Sequence, residues 1–455
     1  MVSNPILDRF IENSPLSVLS RGMIERILPP KELDEWFERT VNDQYTRDLL
    51  FSSVFDIMAG VVGGMHSSVH SAYQASKKKV GVSITSVYNK LNGMELSTSA
   101  ELVRYASSSV IPIIQELGGM SAPPLSGYHV KLIDGNCIEA SEHRIKELRD
   151  NTAGPLPGKS LVVYDPVLRM PVDVFPCEDG HAQERSLFDS FLKTVKAGEL
   201  WLSDRNFCTR NFIFSIDNSD AYFVIRQHGG FPFCENGPEK LGGEVDTGAV
   251  FEHPIITTDT SGNELHLRRI RVHLNKKTRD GDKDIYIITN LPEEDADAIT
   301  ISNLYRGRWK IETAFQELTE YYNSEINALG YPRAALFGFC IALVSYIILA
   351  VVKAALACVH GSEKIENEVS PYYIANELSQ THPGMMIALP REEWRFFRDF
   401  TNDELIKYIK MLIRKVDLSA YKKHKRGPKK PKDKKGHCSK SSHVSTAKLI
   451  SKRKK

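Results

Sequence analysis

The stretch Tyr305-Arg-Gly-Arg308-Trp-Lys-Ile-Glu312-Thr-Ala-Phe-Gln-Glu-Leu-Thr319 governs how the rest of the chain is read. Its apolar spacing predicts a helix over residues 299–321. At about 100° per residue, Tyr305, Arg308, Glu312, Gln316 and Thr319 fall within one third of the circumference. Leu304, Gly307, Ile311, Ala314, Phe315 and Leu318 form the apolar stripe beside them. A glutamate thus projects from a polar face between an arginine and a tyrosine, on a helix whose adjoining face is buried. By helix geometry alone, a surface i,i+4 ion pair between Arg308 and Glu312 is the simpler explanation.

Moving toward the N-terminus, the chain changes texture twice. Residues 221–291 contain strand-like runs at 222–226, 249–258, 264–274 and 285–289, separated by glycine-rich or charged turns. They read as a β-rich insertion. Before it, Val130-Lys-Leu-Ile-Asp134 and Leu200-Trp-Leu-Ser-Asp204 are short apolar runs that each end in an aspartate. Two further strand candidates (161–164 and 171–175) and a helical pattern over 183–197 lie between them. An aspartate after a strand is often only a turn residue. Carboxylates at adjacent strand ends are also what two-metal phosphoryl chemistry needs, because a rigid sheet fixes their separation.

These residues resemble the DDE transposases of bacterial insertion sequences, in the subgroup with a Tyr-x2-Arg-x3-Glu-x6-Lys signature. Tyr305, Arg308 and Glu312 match, and Ile133-Asp134-Gly135, Ser203-Asp204-Arg205-Asn206-Phe207 and Thr289-Asn290-Leu291 follow in the right order. His443-Val-Ser-Thr-Ala-Lys-Leu449 is similar to family ends, so the likeness spans about residues 130–450. One position departs from it: Thr319 stands where the family has lysine. The resemblance implies a catalytic triad of Asp134, Asp204 and Glu312 binding two Mg2+ ions, with Mn2+ able to substitute. It implies that Tyr305 and Arg308 hold the phosphate of an element end; Lys310 or a residue of the insertion is the candidate substitute for the missing lysine. It also implies an inserted β domain that positions DNA. There Tyr222, Phe231 and Phe233 are the stacking candidates and Arg268, Arg269 and Arg271 the phosphate contacts.

The predicted fold class is α/β: a ribonuclease-H-like core at 126–220 and 292–365, interrupted by the β-rich insertion at 221–291. A helical region at 1–125 precedes it, and a helical region at 366–418 and a basic tail at 419–455 follow. Within the first region, Ala75-Ser-Lys-Lys-Lys-Val-Gly-Val-Ser-Ile-Thr-Ser-Val-Tyr-Asn-Lys-Leu91 resembles a helix-turn-helix. Gly81 makes the turn, Ser83 caps the second helix, and Val87 and Leu91 face inward. Ser83, Thr85, Ser86, Asn89 and Lys90 are then the DNA contacts. An ordinary helical hairpin carries the same pattern.

Charge supports a nucleic-acid partner. The net +2 conceals a tail with 15 Lys/Arg and one acid, whereas residues 1–418 carry 44 basic and 56 acidic side chains. Such a tail gains affinity for phosphate backbones by counterion release, or is simply a solvated end. Seven dispersed cysteines with no CxxC are expected to be reduced thiols in a cytoplasmic protein. Asp8, Arg9 and Glu12 break up the N-terminal apolar residues, which argues against a signal peptide. Residues 334–352 carry no charge over a length that crosses a bilayer, but the expectation is a buried core helix and no membrane partner.

The expected function is transposition in a bacterial, nucleoid-associated setting. The chain binds double-stranded terminal inverted repeats as a homodimer, cleaves, and transfers 3′ ends into target DNA. The alternatives are a nuclease of the same fold without strand transfer, and a catalytically silent DNA-binding relative.

Overall fold

Alternation of apolar side chains through the central strands builds a sheet that is covered on both faces. In strand β1 (His129–Ile138), Val130 and Leu132 join one apolar cluster and Ile133 joins the other. Leu200 and Leu202 oppose Trp201 in the same way, and Val224 opposes Phe223 and Ile225. A period of two places successive residues on opposite faces, so runs that are apolar throughout mark strands buried twice over. The computed structural model describes residues 4–44, 48–139, 141–142, 145–278, 281–424 and 443–453.

After β1 the strands are β2 (Gly154–Leu156), β3 (Gly158–Asp165), β4 (Met170–Cys177), β5 (Glu199–Ser203) and β6 (Tyr222–Arg226). Then come β7 (Cys234–Glu235), β8 (Lys240–Val245), β9 (Gly248–Thr258), β10 (Glu264–Leu274), β11 (Asp284–Thr289) and β12 (His443–Ser445). One sheet runs in the order β4-β3-β1-β5-β6-β11-β10-β9-β7, with β8 also on β9. β3 is antiparallel to β1 and β4, while β1, β5 and β6 are mutually parallel neighbours.

This topology corrects one boundary. Residues 222–226 were expected to open the insertion, but they form β6, paired in parallel with β5 deep in the central sheet. β11 then pairs antiparallel with β6, so the β-rich segment extends the central sheet. Local residue types could not reveal this, because a strand reads the same whichever neighbour it pairs with.

The uncharged stretch lies in the helix Pro332–His360, whose most apolar window has a mean hydropathy of 2.7 and is 94% buried within the protein. It packs on the helices Leu96–Leu117 and Phe51–Val62 and on β4. Glu25, fully buried, receives Arg21, Arg391 and Arg398 at 2.7, 3.3 and 3.4 Å, tying the N-terminal helices to region 366–418. The tail is partly engaged as well. β12 pairs in parallel with β2, and Lys448 meets Asp179 at 2.9 Å. The basic run at 425–442 lies outside the described residues.

Gly119 marks the tightest approach to the long helix. A Cβ there would stand 1.9 Å from the Ala354 carbonyl oxygen. Gly119→Ala is therefore expected to cost about 1–3 kcal/mol by overpacking. It would be read as a lower urea midpoint at unchanged m-value; an unchanged midpoint contradicts the close contact.

Candidate active site

The first two acids lie just beyond the parallel pairing of β1 with β5, which ends at Leu132 with Leu202. Asp134 is two residues further along β1, and Asp204 directly follows β5. Neighbouring strands lie about 4.8 Å apart, and the carboxyl ends of parallel strands are where α/β sheets present ligand-binding groups. Asp134 accepts the Gly135 N–H through Oδ1 at 2.9 Å. Asp204 caps the turn Arg205–Phe207, accepting the Asn206 N–H at 2.8 Å. Burial pushes the Asp134 carboxyl up to about 7; Arg308 opposes this, while Asp204 and Glu184 add to it by repulsion.

The third acid arrives by a route that the sequence did not show. The expected continuous helix over 299–321 is two helices, Ala298–Gly307 and Trp309–Tyr321, joined at Arg308. Here the hydrogen bonds shorten to i−3, from the Arg308 N–H to the Tyr305 carbonyl and from the Ile311 N–H to the Arg308 carbonyl. The tightened turn carries Arg308 inward, to 6% exposure. Its Nη1 donates to Asp134 Oδ2 at 3.0 Å and its Nη2 to Glu312 Oε1 at 2.5 Å. The Arg308–Glu312 pair is therefore not a surface pair: one guanidinium joins β1 to the last helix of the site. Burial works against the Arg308 charge, but Tyr305, Asp134 and Glu312 together outweigh it and hold its pKa above the ordinary value. Tyr305 is buried too. Burial raises its pKa; Arg308 and Arg226 oppose the shift and Asp204 adds to it, which places all five residues in one electrostatic neighbourhood.

Sequence reading missed Glu184 and Asn206. Residues 183–197 were expected to be a helix. They form a 3-10 turn Glu184–Leu187 and a short helix Phe188–Leu192, and the turn brings Glu184 beside Asp134 and Asp204. Trp309, also passed over, is 60% exposed, with its ring 5.5 Å from the Arg308 guanidinium carbon. No spacing rule points to Glu184; Gly135 immediately after Asp134 was the available clue.

The other expected DNA contacts divide. In the N-terminal region Gly81 adopts a left-handed conformation and ends the helix Val69–Val80, and Ser83 caps Ile84–Asn92. Val87 and Leu91 are buried, and Thr85 and Asn89 are exposed. Ser86 bonds the Ser83 hydroxyl, and the Lys90 ammonium lies 4.5 Å from the Phe37 ring centre, so Lys90 does not simply face outward. In the β-rich segment the arginines face protein partners. Arg268 binds Glu252 and the carbonyls of Leu291, Pro292 and Ala296. Arg271 binds Glu239 and Asp284. Arg269 binds Gln227 and stacks on Tyr286 and Phe233. Phe231 is buried, and Tyr222 packs edge-on against Tyr128 in the central sheet. Cross-strand acids, invisible in a linear reading, account for these differences. Lys310 is exposed, and Thr319 bonds back to the Phe315 carbonyl.

Among the described residues no three acidic, histidine or cysteine side chains already meet as a metal cage. The donor chemistry nevertheless fits a hard divalent cation. Carboxylate oxygens are its preferred ligands, and a cation would offset both the burial that chiefly raises Asp134 and the repulsion from Asp204 that adds to it. Arg308 holds one oxygen each of Asp134 and Glu312 in this arrangement. Removing that charge by Arg308→Ala is expected to cost about 3 kcal/mol, mostly through Asp134 because Glu312 is partly in water. In an Asp134→Asn background the cost should fall to about 1 kcal/mol; equal losses in both backgrounds, measured by denaturant titration, contradict the coupling.

Residues 126–348 match the family model described as the transposase DDE domain. Over 196 residues the chain is 24% identical to transposase y4zB, so named, of Sinorhizobium fredii (strain NBRC 101917 / NGR234). That match covers 42% of this chain and 52% of the relative, so the chain spans about half the length of the curated relative it matches. A piggyBac transposase in a synaptic complex with hairpin DNA is 11% identical, with 88% of this chain and 84% of that one covered. Its TM-score of 0.37 is too low to carry weight. The domain match, which encloses Asp134, Asp204, Tyr305, Arg308 and Glu312, and the curated relative together support a DDE transposase.

Proposed function

We propose that this protein is a DNA transposase of the Tyr-Arg-Glu-Lys subgroup. It binds the terminal inverted repeats of its element, cleaves a phosphodiester at each end and joins the 3′ ends to target DNA, as a homodimer in a synaptic complex. The observation that carries the reading is Arg308 linking Asp134 on β1 to Glu312, with Asp204, directly after β5, close enough to perturb the Asp134 carboxyl. The order β4-β3-β1-β5-β6, with β1 between an antiparallel and a parallel neighbour, supports a ribonuclease-H-like core.

Asp134, Asp204 and Glu312 would hold two divalent ions, Mg2+ or Mn2+. Bound there, such ions activate an attacking water or 3′-hydroxyl and stabilise the leaving oxygen. The protein's own groups bind and orient. Arg308 is a forked donor whose buried Nε has no hydrogen-bond partner among the described residues, so it would have a hydrogen bond to offer a phosphate oxygen once the guanidinium is uncovered. Tyr305 borders it with a hydroxyl on an aromatic body. Exposed Trp309 offers a face on which an unpaired base can stack. Thr85 and Asn89 on the capped helix, with Ser83, Ser86 and Lys90 beside them, are the proposed sequence readers, and Lys310 and the basic tail the phosphate contacts.

Asp134→Asn, Asp204→Asn and Glu312→Gln are each expected to reduce cleavage to roughly one per cent or less while leaving DNA affinity intact. Cleavage and strand joining are measured on DNA carrying the ends that flank the gene. Full cleavage by any variant removes that residue from the triad, and cleavage without joining by the wild type identifies a nuclease instead.

A further inference from the structure

We propose that Glu184 is a fourth carboxylate of the catalytic centre, contributing to the same divalent-cation site as Asp134 and Asp204. This rests on the reading of the site as metal-dependent. Glu184 is placed by the fold. Phe188, four residues along, is buried and stacks on Phe207 with ring centres 5.2 Å apart, and Phe207 belongs to the turn that Asp204 caps. Arg185 Nε donates to the Asn206 carbonyl at 3.3 Å, and Asn206 Nδ2 donates to Glu184 Oε2 at 3.3 Å. The segment bearing Glu184 is therefore fastened to the segment bearing Asp204 by packing and by two hydrogen bonds.

The other carboxylate oxygen lies against the residue that follows Asp134. A Cβ at position 135 would stand 2.3 Å from Glu184 Oε1, so any larger residue there would push the carboxylate out of this position. Gly135 needs no unusual backbone angle; its reason is this approach. Two independent elements, β1 and the Asp204 turn, thus converge on one acid that neither composition nor spacing singles out.

The Lys159 ammonium is the nearby counter-charge of Glu184, and it donates to the Ala182 carbonyl at 2.8 Å. Burial raises the Glu184 pKa; Lys159 opposes the shift and Asp204 adds to it. Glu184 also lines an open cavity of about 440 Å³ with Lys159, His181, Gln183, Arg185 and Asn206. A cation shared with Asp204 would relieve the repulsion between the two carboxylates.

Glu184→Gln tests this in the full-length protein, with Mn2+ titrated by isothermal calorimetry in the absence of DNA. Glutamine keeps the volume and the acceptor for Asn206, so a purely structural role leaves both Tm and Mn2+ affinity unchanged. The expected result is at least about a tenfold loss of Mn2+ affinity, with the metal-free Tm unchanged. Asp204→Asn is measured alongside. If it loses Mn2+ while Glu184→Gln binds like wild type, the proposal is overturned and the metal-dependent reading stands. If neither variant changes Mn2+ affinity, that reading falls and the proposal with it. Should Glu184→Gln lower the metal-free Tm, Glu184→Asp decides. Affinity nearer to wild type than that of the glutamine variant supports a charge-bearing role, and affinity no better overturns it.

Discussion

The Arg308 guanidinium, at 6% exposure, stands between two carboxylates that come from opposite ends of the domain sequence. Asp134 is fixed by a strand buried on both faces, and Glu312 by a helix whose Ile311, Ala314 and Leu318 are buried. Asp134 could not be buried beside Glu312 without a positive charge between them. The break at Gly307–Arg308 follows from that constraint. A straight helix would leave Arg308 on a solvated polar face, whereas the i−3 turn directs it at the strand end. The two ordered carboxylates and the buried arginine are one arrangement.

The sheet explains why this arrangement is rigid. β1 lies between antiparallel β3 and parallel β5, so Asp134 cannot shift without disturbing both ladders. The β-rich segment is joined to the same sheet through β11 on β6. Whatever it contacts is thereby mechanically continuous with the strand next to Asp204. At the far end, β12 docks on β2, so the last described residues of the basic tail are anchored near the core.

Features written in consecutive residues were legible in the sequence. The aspartate after β5, the Ser83 cap after Gly81, the inward Val87 and Leu91 and the buried helix around 334–352 all depend on local pattern, and the structure places them as that pattern implies, whereas Asp134 lies within β1, which runs on to Ile138. Features that depend on pairing were not. Nothing in Tyr222–Arg226 distinguishes a core strand from an inserted one, because the partner β5 is remote in pattern. Arg268 and Arg271 look like free cations until Glu252, Glu239 and Asp284 are folded against them. The helical periodicity through Arg308 was real, yet a single turn changed which face the arginine occupies. Glu184 was hidden for the same reason, since its significance lies in what stands above Gly135.

The most direct test of convergence is a crystal of the full-length protein soaked in Mn2+, with anomalous scattering used to locate the ions. The account predicts anomalous peaks enclosed by Asp134, Asp204 and Glu312, with the Arg308 guanidinium withdrawn from the carboxylates. Crystals that show no peak there, with the Asp134–Arg308–Glu312 bridge intact at saturating Mn2+, would contradict it.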